Sequence, residues 1–120
     1  MLSTIFTAPD ESTWIGILRL ELSFPEARSR KDKRKSVARI RDRFRTRYNL
    51  AIAEVGHLEN HKKSVMVATT VGNNQRQIRA MLDMRVNETH SLIDGFVFHH
   101  SITVLPFPFP LHTDTLPPES

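Results

Sequence analysis

The chain has 120 residues, a formal net charge of +4 and an apolar share of 39%, below the roughly 45–50% usual for globular domains, so one domain with polar ends is expected. It contains no cysteine, which excludes a disulfide scaffold, a thiolate zinc site and cysteine catalysis. No apolar run approaches the ~18 residues of a membrane span, and Met1 to Thr13 carry neither a lysine or arginine nor a signal-like apolar core, so a soluble, cytoplasmic protein without membrane contact is the expectation.

Residues 1–12 end in the turn-rich Ala8-Pro9-Asp10-Glu11-Ser12 and read as a disordered leader. From Thr13 the pattern has period two. Trp14, Gly16, Leu18, Leu20, Leu22 and Phe24 share one face and Thr13, Ile15, Ile17, Arg19, Glu21 and Ser23 the other, as in a strand with one buried side. Pro25 ends it. Ser29 is a helix N-cap with Asp32 in the capping-box position. Val37, Ile40, Phe44 and Tyr48 then form the apolar stripe of a helix over 30–47, with Asn49 as terminator.

A strand over 50–57 and another over 64–71, joined by the polar loop 58–63, form a hairpin. Gly72-Asn73-Asn74 breaks the second, and Asn74 with Gln77 caps a helix that runs to about His90, with Ile78, Met81, Leu82 and Val86 as its buried stripe. After the turn at Asp94-Gly95, a last strand over 96–105 places Phe96, Phe98, His100, Ile102 and Val104 on one side. The alternating prolines that follow Leu105 disfavour a ladder, so 106–120 reads as a Pro-rich disordered tail. The order β-α-β-β-α-β is that of an α+β, ferredoxin-like domain over 13–105: a four-stranded antiparallel sheet with two helices on one face and the other face open.

Leu18-Arg-Leu-Glu-Leu-Ser-Phe-Pro-Glu-Ala-Arg-Ser-Arg-Lys-Asp-Lys-Arg34 resembles the signature of the YlxP-like bacterial family, a domain of unknown function. Arg47-Tyr-Asn-Leu-Ala-Ile-Ala-Glu-Val-Gly-His-Leu58 is similar to its second signature. The resemblance covers roughly 14–105 and implies a ferredoxin-like fold. The family's usual gene neighbours, in transcription antitermination, translation initiation and ribosome maturation, imply an RNA- or ribosome-linked role and no enzymatic activity. Arg30 stands where the family usually has leucine and Gly56 where it usually has aspartate. The family's usual loop aromatic is absent near His61.

Charge is distributed unevenly. Arg28, Arg30, Lys31, Lys33, Arg34, Lys35, Arg39, Arg41, Arg43, Arg45 and Arg47 are eleven of the seventeen basic residues, and with only Asp32 and Asp42 among them they give this segment +9. The rest of the chain carries six basic and eleven acidic residues, or −5. At 100° per residue, Lys31, Lys35, Arg39 and Arg43 form one row, and Arg34, Arg41 and Arg45 form another beside the apolar stripe. Such rows suit phosphates along an RNA backbone, and Arg28 and Arg30 extend them toward the helix start. The alternative is a solvated face in which Lys35 or Arg39 pairs with Asp32 or Asp42. Lys33 falls inside the apolar stripe, where it is expected to snorkel with its stem packed, or to hold a phosphate or Glu54.

The exposed side of the first strand offers Ile15, Ile17, Arg19 and Glu21, and the third strand has no aromatic residue, so stacking of bases on the sheet is not expected. Exposed Ile15 and Ile17 point instead to a homodimer contact or a covering by the tail. A dimeric module whose basic helix docks an acidic protein is the alternative function. His57 and His61 flank a loop rather than a helix turn, and His99 and His100 point to opposite faces, so neither pair has ligand spacing for a metal. Glu54 lacks a recognisable catalytic partner. No enzyme activity and no cofactor are expected.

Overall fold

A computed structural model describes residues 12–108. The elements are β1 (Thr13–Ser23), α1 (Arg30–Arg47), β2 (Ala51–Gly56), β3 (Lys63–Gly72), α2 (Gln75–Leu92) and β4 (Phe96–Phe107). The strands form one antiparallel sheet in the order β2-β3-β1-β4, and both helices pack on the face that carries Leu18, Leu20 and Leu22. This is the ferredoxin-like architecture expected from the element order.

Local chemistry sets the helix ends. Ser29 Oγ accepts from the Asp32 N–H, and Asp32 returns a bond one residue further out, accepting from the Arg28 N–H at 2.8 Å. Asn74 Oδ1 accepts from the Gln77 N–H at 3.0 Å at the start of α2. Burial of Val37, Ile40 and Phe44 from α1 and of Ile78, Leu82 and Val86 from α2 closes the core over β1 and β3. The turn after α2 is tied down by the buried Ser36 hydroxyl, which accepts from the Asp94 N–H at 3.0 Å. It also needs Gly95, because a Cβ there would sit 2.2 Å from the Ser23 carbonyl oxygen. That contact is with backbone and cannot be relieved by a rotamer change.

The last strand departs from its simple period. A β-bulge between Glu21 and Leu22 pairs Glu21 with His99 and Leu22 with Val97, so Phe98 has no partner opposite it. Val97, Ile102 and Val104 therefore pack against the core, while Phe96 and Phe98 are exposed, which corrects the expectation of one continuous face from Phe96 to Val104. An inserted residue reverses the alternation beyond it. β4 also runs two residues past the predicted end, with Pro106 opposite Trp14 and Phe107 opposite Thr13. An edge strand tolerates this proline because every second backbone N–H there points away from the ladder. The predicted leader and tail otherwise lie outside the described residues.

Candidate nucleic-acid interface

The basic residues predicted as one interface divide into three groups. Lys33 forms the first group alone. Only 1% of it is exposed, and its ammonium donates to Glu54 Oε2 at 2.8 Å, to the His57 carbonyl at 2.9 Å and to the Lys63 carbonyl at 3.1 Å. An ammonium has three donors, and all three are used. Contrary to expectation, Lys33 therefore does not snorkel to the edge, and it has no donor left for a phosphate; of the alternatives, its pairing with Glu54 is observed. Glu54 Oε2 also accepts from the Ser64 hydroxyl at 2.7 Å. His57 has a left-handed φ of 55°, a region costly for most L-residues but less so for histidine. Its carbonyl also accepts from the Asn60 N–H at 3.0 Å.

The second group is basic side chains paired within the domain, four of them to residues outside α1. Arg43 Nη1 donates to Glu88 Oε2 at 3.0 Å, Arg39 donates to the Leu92 carbonyl at 3.2 Å and lies 3.5 Å from Asp94, and Arg45 donates to the Ile52 carbonyl at 3.0 Å. Arg30 pairs with Glu59 across the β2–β3 loop, and Arg41 lies 3.6 Å from its neighbour Asp42. The pairing of Lys35 or Arg39 with Asp32 or Asp42 is not observed, since Asp32 is turned to the Arg28 N–H.

The third group is Arg28, Lys31, Arg34, Lys35 and Arg47, all exposed and with side chains in no ion pair among the described residues. Lys31, Arg34 and Lys35 share the solvent side of the first two turns of α1, so three cations project from a rigid surface with no internal acid to neutralise them.

The open face of the sheet has a feature that the sequence reading missed. A cavity of about 240 Å³ lies where the sheet flares, lined by Glu21, Leu22 and Ser23 of β1, Lys63, Ser64 and Val65 of β3, His57, and the exposed Phe96 and Phe98 of β4. The β4 bulge places Phe98 in its wall, and a second bulge, at Val55 of β2, where the register shifts between Glu54 and Gly56, precedes the lining residue His57. The aromatic side chains that β1 and β3 lack on this face are thus supplied by β4. At the rim, Arg19 and His99 both approach Glu21 Oε2, His99 at 3.5 Å, while Glu21 Oε1 has no partner among the described residues. The Arg19 hydrogen bond, opposed by desolvation and aided by the Arg19, His99 and His57 charges, holds the Glu21 carboxyl below the usual glutamate range. No three histidine, aspartate or glutamate side chains among the described residues converge as a metal site requires. No helix among them is long and apolar enough to cross a membrane.

No curated protein matches the chain. Among solved structures, the de novo designed protein Foldit4 aligns with a TM-score of 0.44 and 13% identity, over 78% of this chain and 94% of that one. The model of the family described as a protein of unknown function (DUF503) matches residues 15–95. That span runs from β1 to the turn after α2, so the chain belongs to the DUF503 family.

Proposed function

We propose that this chain is a YlxP-like, cytoplasmic, non-enzymatic protein that associates with RNA or a ribosomal particle by gripping phosphates from α1. The observation that carries the reading is the trio Lys31, Arg34 and Lys35, exposed on one helical surface and unneutralised within the domain. Clustered cations on a preformed helix bind a polyanion by releasing its condensed counterions, and the later arginines spent on Glu88, Leu92 and Ile52 hold that helix in place.

Binding of a single-stranded RNA, titrated against salt, tests it. Each phosphate contact contributes a slope of about −0.7 in log K against log salt. Lys31→Glu/Arg34→Glu/Lys35→Glu is expected to bring the slope toward zero by about 2 while leaving the circular dichroism spectrum unchanged. A triple variant with the wild-type slope, or a wild type that does not bind at low salt, would overturn the reading.

A second reading, the homodimeric module that docks an acidic protein, is favoured by the other end of the open face. There Ile15 stands between Val71 and Leu105 in register, and Val71 is 62% exposed. If this patch joins two copies, light scattering gives a dimer mass that Val71→Lys halves. A monomer mass for the wild type rejects it.

A further inference from the structure

We infer that the cavity between Phe98 and Lys63 receives one unstacked base of single-stranded RNA, and that it selects a base with an exocyclic amino group. The inference deepens the RNA reading above and rests on it.

The cavity is built by backbone irregularity. Phe98 is the extra residue of a β4 bulge, Val55 that of a β2 bulge, and His57 follows in a left-handed conformation. Bulges re-aim side chains and are over-represented beside functional sites. Here the β4 bulge takes Phe98 out of the core alternation and leaves it 70% exposed. An aromatic ring held in water against an apolar recess suits a flat ligand. At about 240 Å³ the space is below the ~300 Å³ at which drug-sized sites begin, a size that matches one base rather than a peptide side or a whole cofactor.

The polar atoms of the lining sort by role. Lys63 has its carbonyl bound by Lys33, but its ammonium has no partner among the described residues. It is therefore available to the phosphate of the nucleotide whose base enters. Glu21 Oε1 is an unused acceptor on a carboxylate whose other oxygen is occupied by Arg19 and His99. Cytosine and adenine present an amino donor that a carboxylate accepts, whereas uracil presents a carbonyl at the corresponding position and meets it with repulsion.

The cavity and the proposed grip lie at the same end of the domain. Lys33 ties α1 to the carbonyls of both His57 and Lys63, two of the rim residues. Arg30, next to Lys31, pairs with Glu59 of the same loop. A strand held by Lys31 and Arg34 thus reaches one end of the domain at which the β2–β3 loop separates helix from cavity. Phosphate contact and base capture would then act on one strand that passes around this end, as in single-strand binders that combine a cationic track with stacking platforms.

The test uses fluorescence anisotropy of labelled ten-nucleotide rC and rU with the full chain. Both bases are pyrimidines of the same ring size, so the part of the difference between them that Glu21→Gln abolishes reports the amino group. Wild type is expected to bind rC at least five-fold tighter than rU. Phe98→Ala and Phe98→Leu are each expected to weaken rC binding about ten-fold, and Phe98→Trp to retain it, while none of the three changes the salt slope. Glu21→Gln is expected to remove the preference for rC. Equal binding of rC and rU, or unchanged affinity in Phe98→Ala, overturns the inference; if the salt slope still depends on Lys31, Arg34 and Lys35, the helix reading survives that result. Absence of RNA binding by the wild type overturns both. The exposure of Phe98 makes unfolding of its variants an unsuitable explanation, and an unchanged urea midpoint for Phe98→Leu verifies this.

Discussion

Lys33→Met is expected to lower the free energy of unfolding by about 3 kcal/mol, which for a domain of this size corresponds to a fall in Tm of roughly 12–20 °C. The methionine fills much the same volume, so the loss is electrostatic and hydrogen-bonding rather than a cavity effect. Three acceptors from three separate segments depend on this ammonium: Glu54 in β2, His57 after it, and Lys63 at the start of β3. With the ammonium gone, the Glu54 side chain, 20% exposed, keeps a largely buried charge whose one remaining protein donor among the described residues is the Ser64 hydroxyl. Breaking one side of a buried pair costs more than removing both partners. Lys33→Met/Glu54→Gln is therefore expected to be more stable than Lys33→Met alone, since the carboxamide oxygen still accepts from Ser64 and no charge is stranded. Urea unfolding of the three proteins checks this. Were Lys33 a snorkelling side chain with its ammonium in water, Lys33→Met would change stability by no more than about 0.5 kcal/mol.

The same lysine shows where the sequence is legible and where it is not. Local rules were sufficient for the framework. Ser29 and Asn74 cap the helices that follow them, and the alternation from Leu18 to Leu22 marks the core face of β1, because these features depend on neighbours within four residues. Lys33 was visible as a charge inside an apolar stripe, but its second and third acceptors are backbone carbonyls 24 and 30 residues away, which leave no mark in composition. Phe98 failed for another reason. Period two identifies a face only while the count is unbroken, and nothing in Phe96-Val97-Phe98-His99 distinguishes a bulged strand from a regular one. The cavity that this bulge opens is therefore hidden, and simple alternation puts Phe96 and Phe98 on one side with Ile102 and Val104. Charge counting overestimates the free cations of α1, since a tally does not reveal which arginines face α2.

That last distinction makes Glu88→Ala the second large effect. Glu88 Oε2 accepts from Arg43 at 3.0 Å and from the Tyr48 hydroxyl at 3.1 Å, while Oε1 lies 3.1 Å from Arg85 Nε at an angle too bent for a hydrogen bond. Arg85 is only 6% exposed and its guanidinium sits 3.5 Å from the centroid of the Tyr48 ring. An arginine cannot shed its proton to escape a buried site, so loss of the carboxylate leaves a buried cation supported by the ring alone. A loss of about 3–5 kcal/mol is expected, read as a lower urea midpoint, with Glu88→Gln less affected because its carboxamide oxygen still accepts. Arg43 stands at the half-exposed edge of this network, so Arg43→Gln is expected to cost only about 1 kcal/mol and to leave the salt slope of RNA binding unchanged, whereas Lys31→Gln is expected to reduce that slope and leave stability unchanged. Arg43 and Lys31 belong to one row of the same helix, so charge and spacing treat them alike. If the two substitutions reduce the slope equally, Arg43 serves RNA rather than the α1–α2 contact, and the division of the basic helix into a supporting and a binding part is wrong.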